Sequence, residues 1–193
     1  ACHEMGHALV AALLPNTDPI HKVSIIPREY TMGATQQLPE QDRYLYDKGY
    51  IVDRIKVMMG GRAAENFKEN TETSGAENDL KQAQQLARKM VLDWGMSEKF
   101  KNVALGSQRK QVFLGEELGH QREYSEETTR IVDEEVQAII SDAYEDAYRL
   151  LTENEDVFNK LTQRLLDEEE IPGQAIYDQL KNEKEENGDT DES

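Results

Sequence analysis

A mainly α-helical fold with a small β-hairpin or sheet is predicted from three observations. Apolar residues recur at three- and four-residue steps over most of the chain. Only two short stretches carry strand-like patterns bracketed by proline. The opening stretch places His3, Glu4 and His7 in the pattern His-Glu-x-x-His, with the two histidines one helical turn apart.

The first helix starts with that pattern and continues through the apolar run Ala8 to Leu14, and Pro15 and Asn16 stop it. A first strand is expected within 18–27, where Val23, Ile25 and Ile26 are apolar and β-branched between Pro19 and Pro27. A second is expected over 32–38, ended by Pro39, and the two pair through a loop at 28–31. An edge strand beside the first helix suits an extended peptide laid down by strand addition; a purely structural hairpin fits the sequence equally well.

A helix from about 42 to 67 follows from Leu45, Ile51, Ile55, Met58, Met59, Ala63 and Phe67. Gly60 and Gly61 interrupt it, which implies close backbone packing, against the first helix, or a bend. A further helix starts near Thr73 or Ser74, either of which can cap it, and Gly95 ends it. Its apolar face is Ala76, Leu80, Ala83, Leu86, Ala87, Met90, Val91 and Trp94. Residues 96–123 read as irregular, with Val103 to Leu105 as a short strand or a packed loop and Phe113 to Gly115 as a small apolar cluster. From Ser125 a long stripe runs through Ile131, Val136, Ile140, Ala147 and Leu151. A turn at Asn154 leads to a helix over Val157 to Leu166, and Pro172-Gly173 precedes a last short helix. Past residue 180 the tail, 181–193, is acidic, lacks apolar anchors and is expected to be disordered. One domain over 1–180 results, with its helical C-terminal part from about 125.

Composition narrows the function. The 193-residue chain carries a formal net charge of -17, which argues against nucleic acid as a partner. Its single cysteine, Cys2, allows no intrachain disulfide and suits a reducing compartment. No stretch has the apolar length to span a membrane, so the chain is expected to be soluble. The chain begins inside its motif helix without a preceding cap, and a fragment of something longer is expected.

The chemistry follows from the opening motif. His3 and His7 can offer two imidazole nitrogens to one ion. Glu4 projects about 100° around the helix from His3, within reach of a water on that ion. Zinc suits two neutral nitrogens, a third protein donor and an open position. It lowers the pKa of a bound water to about 7, and Glu4 can take the proton, which is metalloprotease chemistry. The third donor remains open among His21, Glu65, Asp79 and His120. Asp79 has a sufficient bland explanation as a first-turn carboxylate on a helix dipole, and Glu65 is a candidate for direct or outer contact. Cys2 reads as a packing residue. Val10 and Leu13 stand where the longer metzincin motif requires Gly and His, so that pattern is excluded. Arg28, Arg62 and backbone amides are equal candidates for stabilising an oxyanion.

The segments His3 to Val10, Val23 to Arg28, Gln37 to Glu40, Gly60 to Glu65 and Gly75 to Leu80 resemble the FtsH family, and Trp94 to Ser97 and Tyr124 to Thr128 extend the match. These are ATP-dependent, membrane-anchored zinc proteases. The resemblance implies a zincin-like helical protease domain with one zinc per chain on His3, His7 and Asp79, and Glu4 as the catalytic residue. It implies polypeptide substrates, a hexameric ring, an upstream AAA ATPase domain and transmembrane helices before that. It further implies a protease domain on the cytoplasmic side in bacteria, or the equivalent organellar side. No Gly-x-x-x-x-Gly-Lys-Ser/Thr sequence occurs, so this chain supplies no unfolding power of its own. Two other readings stand beside it: an acidic helical oligomerisation module, and a ring that has lost proteolysis.

Overall fold

The structure, a computed structural model, describes residues 1–27, 34–37, 45–105 and 125–188. The fold is six α-helices and a three-stranded sheet among these residues. The first helix, α1 (Cys2–Leu13), buries Met5, Ala8, Leu9 and Val10 completely. Its apolar run is buried nearly all round because α2 (Lys48–Glu69), α4 (Glu126–Glu153), α5 (Glu155–Glu168) and the sheet all pack against it.

The most extensive of these contacts is α1 against α2, and glycine makes it possible. A Cβ on Gly60 would stand 2.7 Å from the Gly6 carbonyl oxygen, and one on Gly6 would collide with the Gly60 carbonyl. The two backbones therefore touch. Of the two outcomes the sequence allowed for Gly60-Gly61, close packing is the one realised, and α2 runs unbroken from Lys48 to Glu69. Residues 45–47 precede it as coil, with Asp47 capping by accepting from Tyr50 N.

The sheet has the order β2-β1-β3, all antiparallel, from β1 (Ile20–Ser24), β2 (Ala34–Gln37) and β3 (Glu170–Pro172). The hairpin of β1 and β2 was expected; β3 was not. In the sequence, Pro172-Gly173 reads only as a helix break. In the fold, Ile171 pairs with Val23 and is wholly buried. Gly173 follows because a Cβ there would collide with the Ile20 carbonyl.

After a 3-10 turn at Ser74–Ala76, α3 (Glu77–Leu92) lies on α2 and α4. It ends at Leu92 with Asp93 as its C-cap, ahead of the stop expected at Gly95, whose φ of 58° turns the chain just beyond. Two members of its expected apolar face are not core: Leu80 is 36 % exposed and Trp94 40 %. The Ser125 cap, the turn at Asn154 and the α4–α5 stripe follow the sequence, with Val136, Leu151, Phe158 and Leu161 buried.

The expectation of disorder from 181 is corrected as far as 188. The last helix, α6 (Gly173–Gly188), carries through that stretch. Lys181 lies 3.7 Å from Glu185 one turn on, and Lys160 of α5 reaches Glu183 at 2.9 Å. Charge pairs thus extend a helix that apolar periodicity alone would end. Residues 189–193 lie outside the described residues, as do Phe113 to Gly115.

Candidate metal centre

The first turns of α1 and α3 and the middle of α2 meet at one point. His3 and His7 project from α1 toward α2, and Gly61 makes room for them. A Cβ on Gly61 would stand 2.5 Å from His3 Cε1 and 2.6 Å from His7 Nε2. The α3 N-terminus brings Asp79 to the same place. His3 Nε2 and His7 Nε2 are 3.0 Å apart, and each is 3.3 Å from Asp79 Oδ2. Among the described residues, this is the one group of three whose donor atoms lie close enough together to share an ion.

The outer nitrogens decide what the inner ones offer. His7 Nδ1 lies 2.7 Å from the Val57 carbonyl, which can only accept, so Nδ1 carries the proton. His3 Nδ1 lies 3.0 Å from Glu65 Oε1. Glu65 is buried and also accepts from Thr73, through its N–H at 3.2 Å and its hydroxyl at 2.8 Å. It is therefore an acceptor throughout, and His3 Nδ1 carries a proton too. In their neutral forms both imidazoles thus aim unprotonated Nε2 lone pairs at an ionised carboxylate. Three electron pairs facing one another repel unless a cation lies between them.

The spacing fits such a cation. Bonds of about 2.0–2.1 Å in a tetrahedral site put neighbouring donors about 3.3–3.4 Å apart. The observed triangle has edges of 3.0, 3.3 and 3.3 Å. The donor set, two imidazoles and a carboxylate with fixed outer hydrogen bonds, suits zinc. Protons compete with a cation for the same nitrogens. Contact with Asp79 raises the His3 pKa above the ordinary imidazole value, against the opposing effect of burial. Burial disfavours a charged Asp79, but contacts with His3 and His7 outweigh it and hold the carboxyl far below its usual range.

Glu4 is not one of the three donors. It is half-buried one residue along α1, and the Thr35 hydroxyl of β2 lies 2.9 Å from its carbonyl oxygen and 3.4 Å from its Oε2. The remaining candidates separate cleanly. His21 is exposed on β1, away from the cluster, and His120 and Arg28 lie outside the described residues. Glu65 holds the far side of His3 rather than the shared point. Cys2 donates its S–H to the Ala64 carbonyl at 3.4 Å, and burial, with Glu69 nearby, raises its thiol pKa to about 11. It is a packing residue. Arg62 is engaged by Glu72 and the Thr73 carbonyl. Sequence reasoning missed the Val57 carbonyl, which has no sequence signal, and Thr73, noted there only as a helix cap.

A helix-borne pair of histidines facing a carboxylate from a second helix, with a glutamate beside them, suits a metal-dependent peptidase. The peptidase family M41 model matches residues 1–178, and the chain belongs to that family. It is 53% identical over 192 residues to the ATP-dependent zinc metalloprotease FtsH 2 of Salinibacter ruber (strain M8), covering 100% of this chain and 27% of that protein. It is 49% identical over 182 residues to FtsH 3 of Petrotoga mobilis, covering 94% of this chain and 28% of that protein. It is 45% identical over 185 residues to FtsH of Nitrosococcus oceani, covering 96% of this chain and 29% of that protein. The chain thus spans under a third of the length of these curated relatives.

Proposed function

We propose that this chain is the proteolytic domain, over 1–180, of an ATP-dependent zinc metalloprotease of the FtsH kind, holding one zinc on His3, His7 and Asp79. The observation that carries the reading is the pair of imidazole Nε2 atoms facing Asp79 Oδ2 at 3.3 Å. When bound, the ion supplies Lewis acidity toward a substrate carbonyl and toward water. Glu4 takes the proton of the attacking water and returns it to the leaving amine. Val57 and Glu65 keep the imidazole protons on the outer nitrogens, so both inner nitrogens stay available. An extended peptide alongside β2, whose hairpin edge lies next to Glu4, would carry its scissile bond past the site.

The whole protein, on this reading, is membrane-anchored through segments other than those seen here, with the protease part on the cytoplasmic side in bacteria or its organellar equivalent. No helix among the described residues is long and apolar enough to cross a membrane. Its AAA ATPase domain threads unfolded polypeptides into a hexameric ring of such domains. An oligomerisation module without chemistry, or a ring that keeps metal but not proteolysis, predicts different results in one experiment. Glu4→Gln should retain one zinc per chain and lose hydrolysis of a loosely folded polypeptide by about 10²-fold or more. Equal activity of wild type and variant removes Glu4 from the mechanism. Absence of zinc from both, with a ring mass in solution, favours the assembly module.

A further inference from the structure

A concave site lies on the α2–α3 face, lined by none of the metal-site residues. Tyr50, Ile51, Arg54 and Met58 contribute from α2, and Gln82, Gln85, Leu86 and Lys89 from α3; Tyr46 and Trp94 complete the lining. The spacings are those of single helix faces, so the two helices present these side chains to each other across a cavity of about 310 Å³. That volume is at the lower end for small-molecule sites, which run from about 300 Å³ upward.

Its chemistry differs from the rest of the surface. The chain has 39 acidic and 22 basic residues, yet no carboxylate lines this cavity. Every other basic residue of α2 and α3 pairs with a carboxylate: Lys48, Lys56, Arg62, Lys68, Lys81 and Arg88. Arg54 and Lys89 have no such partner among the described residues, and both line the cavity. The Tyr46 and Tyr50 rings stack at 5.1 Å with 17° between their planes, and Tyr46 and Trp94 remain 44 % and 40 % exposed. Gln82 and Gln85 can each donate and accept.

We propose that this cavity binds a small heteroaromatic anion, the size of a nucleoside monophosphate. The flat faces of Tyr46 and Trp94 suit a planar ring. The Arg54 guanidinium and the Lys89 ammonium suit a phosphate or carboxylate, and the two glutamine amides suit the polar edge of a heterocycle. A polynucleotide is disfavoured by the net charge of -17, which repels an extended run of phosphates while leaving this local pair of cations able to hold one.

Trp94 is the only tryptophan in the chain, so its fluorescence reports this cavity alone. The test is a titration of the full chain with AMP, with adenosine (ring without charge) and ribose 5-phosphate (charge without ring) as controls. The expected result is a saturable change with AMP, half-complete at or below about 1 mM, and at least tenfold weaker responses to both controls. Arg54→Gln and Lys89→Gln should each weaken AMP about tenfold and leave adenosine unchanged, with zinc content and circular dichroism as in the wild type. No saturable change with AMP overturns the proposal, as does adenosine binding as tightly as AMP. Displacement of the AMP signal by an acidic peptide at lower concentration would assign the cavity to a protein segment and overturn it too.

Discussion

At the scale of single residues, the site depends on atoms that the metal itself need not touch. Gly61 is the clearest case. The two imidazoles occupy the volume where any side chain at 61 would sit. Gly61→Ala should gain about 1 kcal/mol of helix propensity and still lose function, because the rings must rotate off the shared point. We expect at least a tenfold loss of zinc affinity with unchanged helix content, read by metal titration and circular dichroism. Wild-type affinity in that variant contradicts the packing described. Glu65 acts at similar remove, through the outer nitrogen of His3. The His3–His7 pairing was legible in the sequence because a turn of helix sets one against the other, whereas Asp79 stayed one of four open candidates until the resemblance singled it out. The role of Glu65 was legible only as a choice between two contacts, since distance along the chain does not say which side of an imidazole a carboxylate approaches. Val57 was not legible at all, because every residue has a carbonyl.

At the scale of elements, the α1–α2 contact holds the site together. Gly6 and Gly60 let the two helix backbones touch, which sets where the His3 and His7 side chains fall relative to Gly61 and Glu65. Gly60→Ala should therefore destabilise the domain by about 1–3 kcal/mol, since overpacking against backbone exceeds the roughly 1 kcal/mol gained in propensity. A denaturant titration measures it, and a raised midpoint would mean that the helices have room to part. The Ser125 cap was legible because it acts within its own segment, whereas Asp47, which starts α2 six residues later than the periodicity suggests, was not singled out because the apolar pattern runs on upstream of it. β3 was not, because three residues become a strand only when β1, some 150 positions away in the chain, offers an edge. The end of α6 was misread for a related reason: Lys160 lies on another helix and pairs with Glu183 only after folding.

At the scale of the whole molecule, several basic residues of an acid-rich chain link one helix to another, among them Lys56, Lys68, Arg88 and Lys160. Lys56 of α2 lies 2.9 Å from Asp146 of α4 and 3.7 Å from Asp53, and Arg149 approaches Asp146 at 2.7 Å. Contacts with Lys56 and Arg149 lower the Asp146 pKa. A depressed carboxyl adds stability above its unfolded value of about 3.9 and loses it as pH falls through the folded value. Asp146 is about one-third exposed, so the contribution is small, about 0.5 kcal/mol. Asp146→Asn should lower stability by that amount at neutral pH and converge with the wild type in acid. A constant difference across that range would show that the effect is packing rather than charge.

The proposed centre requires Asp79, not Glu65, to complete the donor set with His3 and His7. Zinc content of the wild type, Asp79→Ala and Glu65→Ala, measured side by side without chelators, tests it most directly. One ion per chain in the wild type is expected, essentially none in Asp79→Ala, and binding weakened about 10–100-fold but still measurable in Glu65→Ala. Full zinc retention by Asp79→Ala with loss in Glu65→Ala would contradict the account and move the third donor to α2.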